Sequence, residues 1–296
     1  RVAGRTRSGE WMQQLVFLGP GLVFFLVIVL VPFLLGFYYS FTDWNGLDLD
    51  KAKWTGWSNW KRIFYEDDNF WSSFWFTVKF TAVTVAASNI LAFLLALALT
   101  RPLKSRNLLR TVFFVPNVIG GILLGFIWQF IFTKGFATIG ELTGWPLFQL
   151  PWLGTPETGF WGLVIVFVWQ TAGYMMVIYI AAFAGVPQDL IEAAHMDGAN
   201  YWKRVRHIIV PLVMPAVTVC LFLTTSNAFK MFDLNLALTK GGPGTSTQSL
   251  AYNIYAEALN NNRYGLGTAK AMLFFFFVSV ITMVQVWLTK RREVEA

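Results

Sequence analysis

The sequence predicts an all-α, polytopic membrane protein with six transmembrane helices and both termini on the cytoplasmic side. Three observations predict it. Of the 296 residues, 56% are hydrophobic and only 13% charged, against about 45–50% and about 25% in an average soluble domain. Six apolar runs are each about long enough to cross a hydrocarbon core of about 30 Å. The basic residues, finally, fall unevenly on alternate connecting segments. Thirteen lie in the short segments of one side (Arg1, Arg5, Arg7, Arg101, Lys104, Arg106, Arg110, Lys203, Arg204, Arg206, Lys290, Arg291, Arg292). Eight lie in the longer loops of the other (Lys51, Lys53, Lys61, Arg62, Lys134, Lys230, Lys240, Arg263), with Lys79 and Lys270 near span ends. The side richer in Lys and Arg is cytoplasmic, and this bias accounts for the net charge of +7 without nucleic acid as a partner.

The first span runs from Leu15 to Leu35 behind Arg1, Arg5 and Arg7, leaving 1–14 as a cytoplasmic segment. A signal peptide shares the basic start, but this run is longer than an h-region and ends in Gly36-Phe37-Tyr38-Tyr39 without a small-residue cleavage site. The loop from Phe37 to Ser73 holds Trp44, Trp54, Trp57, Trp60 and Trp71 among acids, and amphipathic rings of this kind favour the membrane surface over carbohydrate stacking. A second span, Phe74 to Leu99, stops at Arg101-Pro102. The third, Thr111 to Phe132, carries Pro116, Gly120, Gly121, Gly125 and Gln129, a small-residue surface for close helix packing. An outer loop from Thr133 to Gly159 is interrupted by Pro146, Pro151 and Pro156, which no long helix tolerates. Further spans are Phe160 to Ala184, Ile208 to Phe229 and Ala269 to Leu288. The membrane domain is 15–292 and the tail 293–296. Cys220, the single cysteine, lies in an apolar run and reads as a small buried hydrophobe, with no disulfide or metal framework.

The longest polar interruption on the inner side is Val186 to Pro215, VPQDLIEAAHMDGANYWKRVRHIIVPLVMP. It has the pattern of two short helices. Pro187 suits a first helical position, where its missing N–H needs no partner, and Asp189 and Glu192 put negative charge near the positive end of the helix dipole. Leu190, Ile191 and Ala194 share a face. Gly198 is able to turn left-handed and end this helix, and Asn200 to cap a second one over Tyr201 to His207.

Glu192-Ala193-Ala194, followed by Asp197-Gly198 and by Ile209 and Pro211, resembles the EAA loop of permeases of binding-protein-dependent ABC importers. Leu238-Thr239-Lys240-Gly241-Gly242-Pro243-Gly244 and the stretch STQSLAYNIY (246–255) resemble the LT-x-GGPG segment of sugar importers of the maltose, lactose and glycerol-phosphate type. With the opening LGPGLVFFLVIVLVPFLLGFYYSFTDW, the likeness spans nearly the whole chain. It implies the type I importer permease fold and a cell-membrane location in a bacterium or archaeon. It implies that the hairpin 186–207 is a coupling element docking on a cytoplasmic ATPase dimer through Glu192, Ala193, Ala194, Asp197, Gly198 and Pro211. The other partners implied are a second permease subunit of different sequence, an extracytoplasmic solute-binding protein, a sugar substrate and membrane lipid. The Gly-rich turn lacks the Lys-Ser or Lys-Thr ending of a P-loop, and no such motif occurs elsewhere. The expectation is a non-enzymatic chain without its own cofactor, with ATP and Mg bound by the partner ATPase.

Polar groups that lipid would reject mark a solute path or bonds between helices. Asn89, Asn117 and Gln129 are expected to be structural. Gln170, Tyr174, Asn227, Lys230 and Asp233 are expected to meet substrate, because amides and charges beside Trp169, Phe229 and Phe232 suit a sugar. Lys230 and Asp233 are spaced to pair with one another instead. The alternative is a stand-alone secondary transporter or channel, which the absence of any Asp or Glu well inside the spans disfavours. A membrane enzyme fits less well: there is no HExxH or GxSxG, and His195 and His207 lie in or beside the hairpin, where His195 reads as a docking or solvent residue.

Overall fold

The computed structural model describes residues 7–47 and 52–291. The expectations for Arg1, Arg5, Lys51, Arg292 and the tail 293–296 lie outside them. The described residues are nearly all helical, with one isolated antiparallel bridge between Thr42 and Trp54. They fall into two compact units, one reaching to Glu66 and including Ile254–Leu273, the other Asp67–Asn253 with the chain from Phe274 onward.

Helices α1 (Arg7–Phe25) and α2 (Val31–Tyr39) join through a wide π turn at Leu26–Leu30. Pro32 lacks the N–H that would pair with the Ile28 carbonyl, and the wide turn sits there. Together they form the first span, Val16–Tyr39. In the tryptophan-rich loop that follows, aromatic side chains among the described residues pack on one another. Phe41 is buried, stacked on Trp54 at 5.3 Å and edge-on to Trp57 at 5.2 Å. Helix α3 (Ser58–Tyr65) closes this cluster, and Asn59 Nδ2 donates to the carbonyls of Ser40 (2.9 Å) and Thr42 (2.8 Å).

Helix α4 (Asp68–Leu99) begins where the Asp67 carboxylate accepts the N–H of Phe70 at 2.8 Å, a cap that starts the helix before the apolar run does. The expected third span, Thr111 to Phe132, is corrected: it is two helices, α5 (Arg106–Val118) and α6 (Gly121–Phe130). Pro116 withholds an N–H from Val112, and Ile119 and Gly120 are extended, with ψ of 127° and 142°. The apolar span is instead Gly121–Thr143, continuing through a π turn at Ile131–Gly135 into α7 (Phe136–Thr143). The supposed outer loop is therefore helical from Thr133 until Gly144, whose φ of 68° ends it. After the short α8 (Pro146–Gln149), α9 (Pro156–Ala184) opens on a reciprocal cap between Thr155 and Thr158.

Helices α10 (Gln188–Met196) and α11 (Tyr201–Arg204) form the hairpin; a π turn at Val205–Ile209 carries α11 into α12 (Val210–Leu212). The fifth span, expected over Ile208 to Phe229, is bent: α12 and α13 (Met214–Phe229) meet at 72°. Pro211 and Pro215 each remove one helical bond on either side of Val213. The last helices are α14 (Asp233–Leu238), α15 (Leu250–Tyr255), extended by a π turn at Ala256–Asn260, and α16 (Tyr264–Lys290). Among the described residues five helices are long and apolar enough to cross a membrane, and six spans result when the bent pair counts as one.

The core of the second unit lies between α4 and α9. Phe80, Leu163 and Phe167 fill one end and Ala92, Met175, Met176, Tyr179 and Cys220 the other. Asn89 links three helices, donating to Thr224 Oγ1 and accepting from the Tyr179 hydroxyl, each at 2.9 Å. Its expected structural role holds. Lys79 sits over the Phe160 ring at 4.7 Å. In the first unit Lys270 is more than a span-end residue: it is fully buried and donates to Glu257 Oε2 at 2.8 Å.

Candidate functional site

The start of α6 and the turn between α13 and α14 enclose, with α9, a polar cavity of about 310 Å³. Four residues expected to meet substrate line it: Gln170, Asn227, Lys230 and Asp233. They converge because α13 ends at Phe229, so Asn227 and Lys230 project from its last turn while Asp233 opens α14. Gly121 makes the approach of α14 possible, since a Cβ there would stand 2.8 Å from that of Asp233. Gly125 does the same one turn on, against Ala237. The small-residue surface anticipated on this stretch is thus the seam between α6 and α14.

The cavity residues differ in how far the chain already uses them. Gln170 Nε2 donates to the Ile119 carbonyl at 3.1 Å, a group freed by the extended break before α6, so this side chain is held in place. Asn227 is exposed to the cavity and has no hydrogen-bond partner among the described residues. Lys230 and Asp233 form no ion pair with each other among the described residues, so their charges stay open to a ligand. Tyr174 is not brought here. It lies one turn beyond Gln170 on α9 and packs beside the apolar cluster of Ala92, Met175 and Tyr179. Asn117, read from the sequence as structural, is exposed and lines the cavity instead; the break at Ile119 that turns α5 toward it has no signature beyond Pro116 and the Gly pair.

The other candidate element is the hairpin. Glu192, Ala193, Asp197 and Gly198 are exposed, and Ala194 is half-buried. Pro187 is the cap residue ahead of α10 rather than its first helical residue; its ψ of 128° is extended. Gly198 has φ of 77°. The N–H groups of Gly198 and Ala199 close back on the carbonyls of His195 (3.0 Å) and Ala194 (2.9 Å), the left-handed stop that glycine permits. Asn200 caps α11 as expected, its Oδ1 accepting from the Lys203 N–H at 2.9 Å. Leu190, Met196 and Trp202 present apolar surface around these residues, Met196 with 87% of its area exposed. Pro211 stands apart from the hairpin, beside the bend into α13.

The Gly-rich turn is pinned rather than loose. Asn235, fully buried in α14, donates to the Thr247 carbonyl (2.8 Å) and Thr239 Oγ1 (2.9 Å) and accepts from the Ser249 N–H (2.9 Å). Gln248 Oε1 accepts from Asn69 and Ser73 of α4 at 3.0 and 3.2 Å. Neither residue stands out in the sequence: the Gln248 partners in α4 are far away in the chain, and Asn235 is one amide among many polar residues of the outer loop.

Residues 88–294 match the family described as binding-protein-dependent transport system inner membrane component. The chain belongs to this family. This permease is 46% identical to the probable starch degradation products transport system permease protein AmyD of Thermoanaerobacterium thermosulfurigenes, over 98% of this chain and 97% of that protein. It is 33% identical to the trehalose/maltose transport system permease protein MalF of Thermococcus litoralis, over 90% of this chain and 89% of the other. A chain in the crystal structure of a bacterial ABC transporter involved in the import of the acidic polysaccharide alginate matches this permease with a TM-score of 0.82 at 20% identity. That match covers 95% of this chain and 96% of the other and shows a shared fold. The permease is accordingly a multi-pass membrane protein, and permease subunits of this family are not themselves ATPases.

Proposed function

We propose that this permease forms one half of the membrane path of an ATP-driven importer of a sugar or oligosaccharide, with starch-derived oligosaccharides the first candidates. The observation that carries the reading is the convergence of Gln170, Asn227, Lys230 and Asp233 on one cavity, in a chain so similar to a protein named for starch degradation products. The cavity's volume falls at the lower end of the about 300–1,000 Å³ usual for small-molecule sites. The Asn227 amide and the charges of Lys230 and Asp233, which have no partners among the described residues, suit a ligand covered in hydroxyls, and Phe232 beside them offers an apolar face.

The partners follow from this reading. A second permease of different sequence completes the path, a solute-binding protein delivers the sugar outside, and a cytoplasmic ATPase dimer binds ATP and Mg; this chain holds no cofactor. The bias of basic residues supports a cytoplasmic hairpin and cytoplasmic termini in a bacterial or archaeal cell membrane. The hairpin, with Glu192, Ala193, Ala194, Asp197 and Gly198 at its face and Pro211 at its base, transmits the closing of the ATPase as a rigid body. A lever of this kind must favour one state of the membrane domain over the other by differential contact.

The test is uptake of labelled maltooligosaccharides by proteoliposomes holding the complete complex, with binding protein outside and ATP inside. Uptake that needs both supports the proposal. Uptake that proceeds without ATP and follows an ion gradient overturns it in favour of a secondary transporter.

A further inference from the structure

A second cavity, of about 460 Å³, lies where α4 and α9 end, against α5 and the hairpin. Arg101, Arg110 and Arg204 line it, and no Asp or Glu does. Arg110 donates through Nη2 to the Leu99 carbonyl at 2.8 Å, while its Nε is buried without a partner. The Arg101 guanidinium lies over the Tyr201 ring at 4.9 Å. The Arg204 side chain makes no hydrogen bond or ion pair among the described residues. Three like charges drawn together in a partly enclosed site repel one another and call for an anion. Guanidinium groups match phosphate best, because their planar donors bind its oxygens in pairs.

The opposite wall is apolar, formed in part by Ile180 and Phe183 of α9. Because it is built at the ends of two membrane spans, the cavity sits where hydrocarbon gives way to water. A free phosphate would satisfy the arginines and leave this wall bare; a phosphate carrying acyl chains satisfies both. We propose that this cavity is a binding site for the headgroup phosphate of an anionic phospholipid. Basic pockets between transmembrane helices at the cytoplasmic face recognise such headgroups. Gln188 and Ile191 of α10 share the cavity with Tyr201 and Arg204 of α11. A bound lipid therefore touches both arms of the hairpin and ties them to the ends of α4 and α9. The inference concerns lipid alone and does not depend on which solute is carried.

The test is native mass spectrometry of the purified, delipidated importer complex titrated with phosphatidylglycerol or phosphatidylcholine. The wild type is expected to retain phosphatidylglycerol in preference to phosphatidylcholine. Loss of one charge-assisted phosphate contact in Arg204→Gln is expected to weaken that retention about tenfold. Arg204→Lys, which keeps the charge, recovers part of it, and Arg62→Gln, at an exposed arginine of α3, leaves it unchanged. Excess inorganic phosphate does not displace the lipid. Equal retention by Arg204→Gln and wild type, equal binding of the two lipids, or displacement by inorganic phosphate would each overturn the proposal. Should Arg204→Gln not assemble, Arg101→Gln decides by the same criteria.

Discussion

Asn89 and Asn227, two asparagines in apolar runs, separate structure from transport. Asn89→Ala removes two bonds between helices, to Thr224 and Tyr179. Thr224 keeps its own bond to the Cys220 carbonyl at 2.6 Å, and the Tyr179 hydroxyl keeps only the weaker Cys220 side chain as a partner. Interhelical hydrogen bonds in membranes contribute about 0.6 kcal/mol on average and up to about 1.7, which gives a loss of about 1–2 kcal/mol for the two bonds together. The half-saturation concentration for uptake should not change. Asn227→Ala removes no side-chain bond among the described residues, so its stability should stay within about 0.5 kcal/mol of wild type. If its amide binds the solute, one lost hydrogen bond of about 1.4 kcal/mol raises half-saturation about tenfold. Thermal unfolding of the detergent-solubilised complex reads the first effect, and concentration-dependent uptake in proteoliposomes reads the second. The reasoning is refuted if the two variants exchange these behaviours, or if both lower uptake alike with unchanged melting temperatures.

Further expectations follow from packing and backbone geometry. Gly125→Leu drives a side chain into Ala237, which already stands 2.5 Å from where a Cβ would be; overpacking of this kind costs about 1–3 kcal/mol and should lower both melting temperature and uptake, since α14 carries Asp233. Lys270→Met leaves Glu257, only 12% exposed, with the half-exposed Arg263 as its remaining cation. A loss of about 3–5 kcal/mol is expected, and Lys270→Met/Glu257→Gln should recover most of it in the same melting assay. Gly198→Ala meets no neighbour within 4 Å, so its cost is the left-handed backbone alone, about 1 kcal/mol; faster hydrogen exchange across 188–204, without loss of the assembled complex, is the readout.

What the sequence made legible is mostly local. The first, second, fourth and sixth apolar spans, the stop at Gly198 and the cap at Asn200 depend on neighbours within a few residues, and the structure has them close to where they are expected. Breaks are less visible in the sequence: Pro116 reads as part of a packing surface, yet the extended turn at Ile119 and Gly120 that splits the third span also needs α9, whose Gln170 takes up the freed carbonyl. The same holds for the bend beside Val213: Pro211 and Pro215 mark its place, but its angle of 72° depends on the surrounding packing. Four cavity residues were anticipated from polarity in apolar runs. Tyr174 shares their polarity at membrane depth, which is why the sequence groups it with them, but one turn beyond Gln170 it packs on the apolar core instead of the cavity. Asn235 and Gln248 were missed because nothing in their immediate sequence distinguishes a buried amide holding a distant turn from a polar loop residue.

The most direct measurement of the central claim is ATP hydrolysis alongside sugar uptake by reconstituted complexes carrying Glu192→Lys. Glu192 is exposed and holds no partner among the described residues, so the permease itself should fold and assemble with its second subunit. If the hairpin couples the ATPase to the membrane path, this variant should lose sugar uptake, and hydrolysis should either fall with weakened ATPase docking or continue without transport. Wild-type uptake with wild-type hydrolysis would contradict a coupling role for this face of the hairpin.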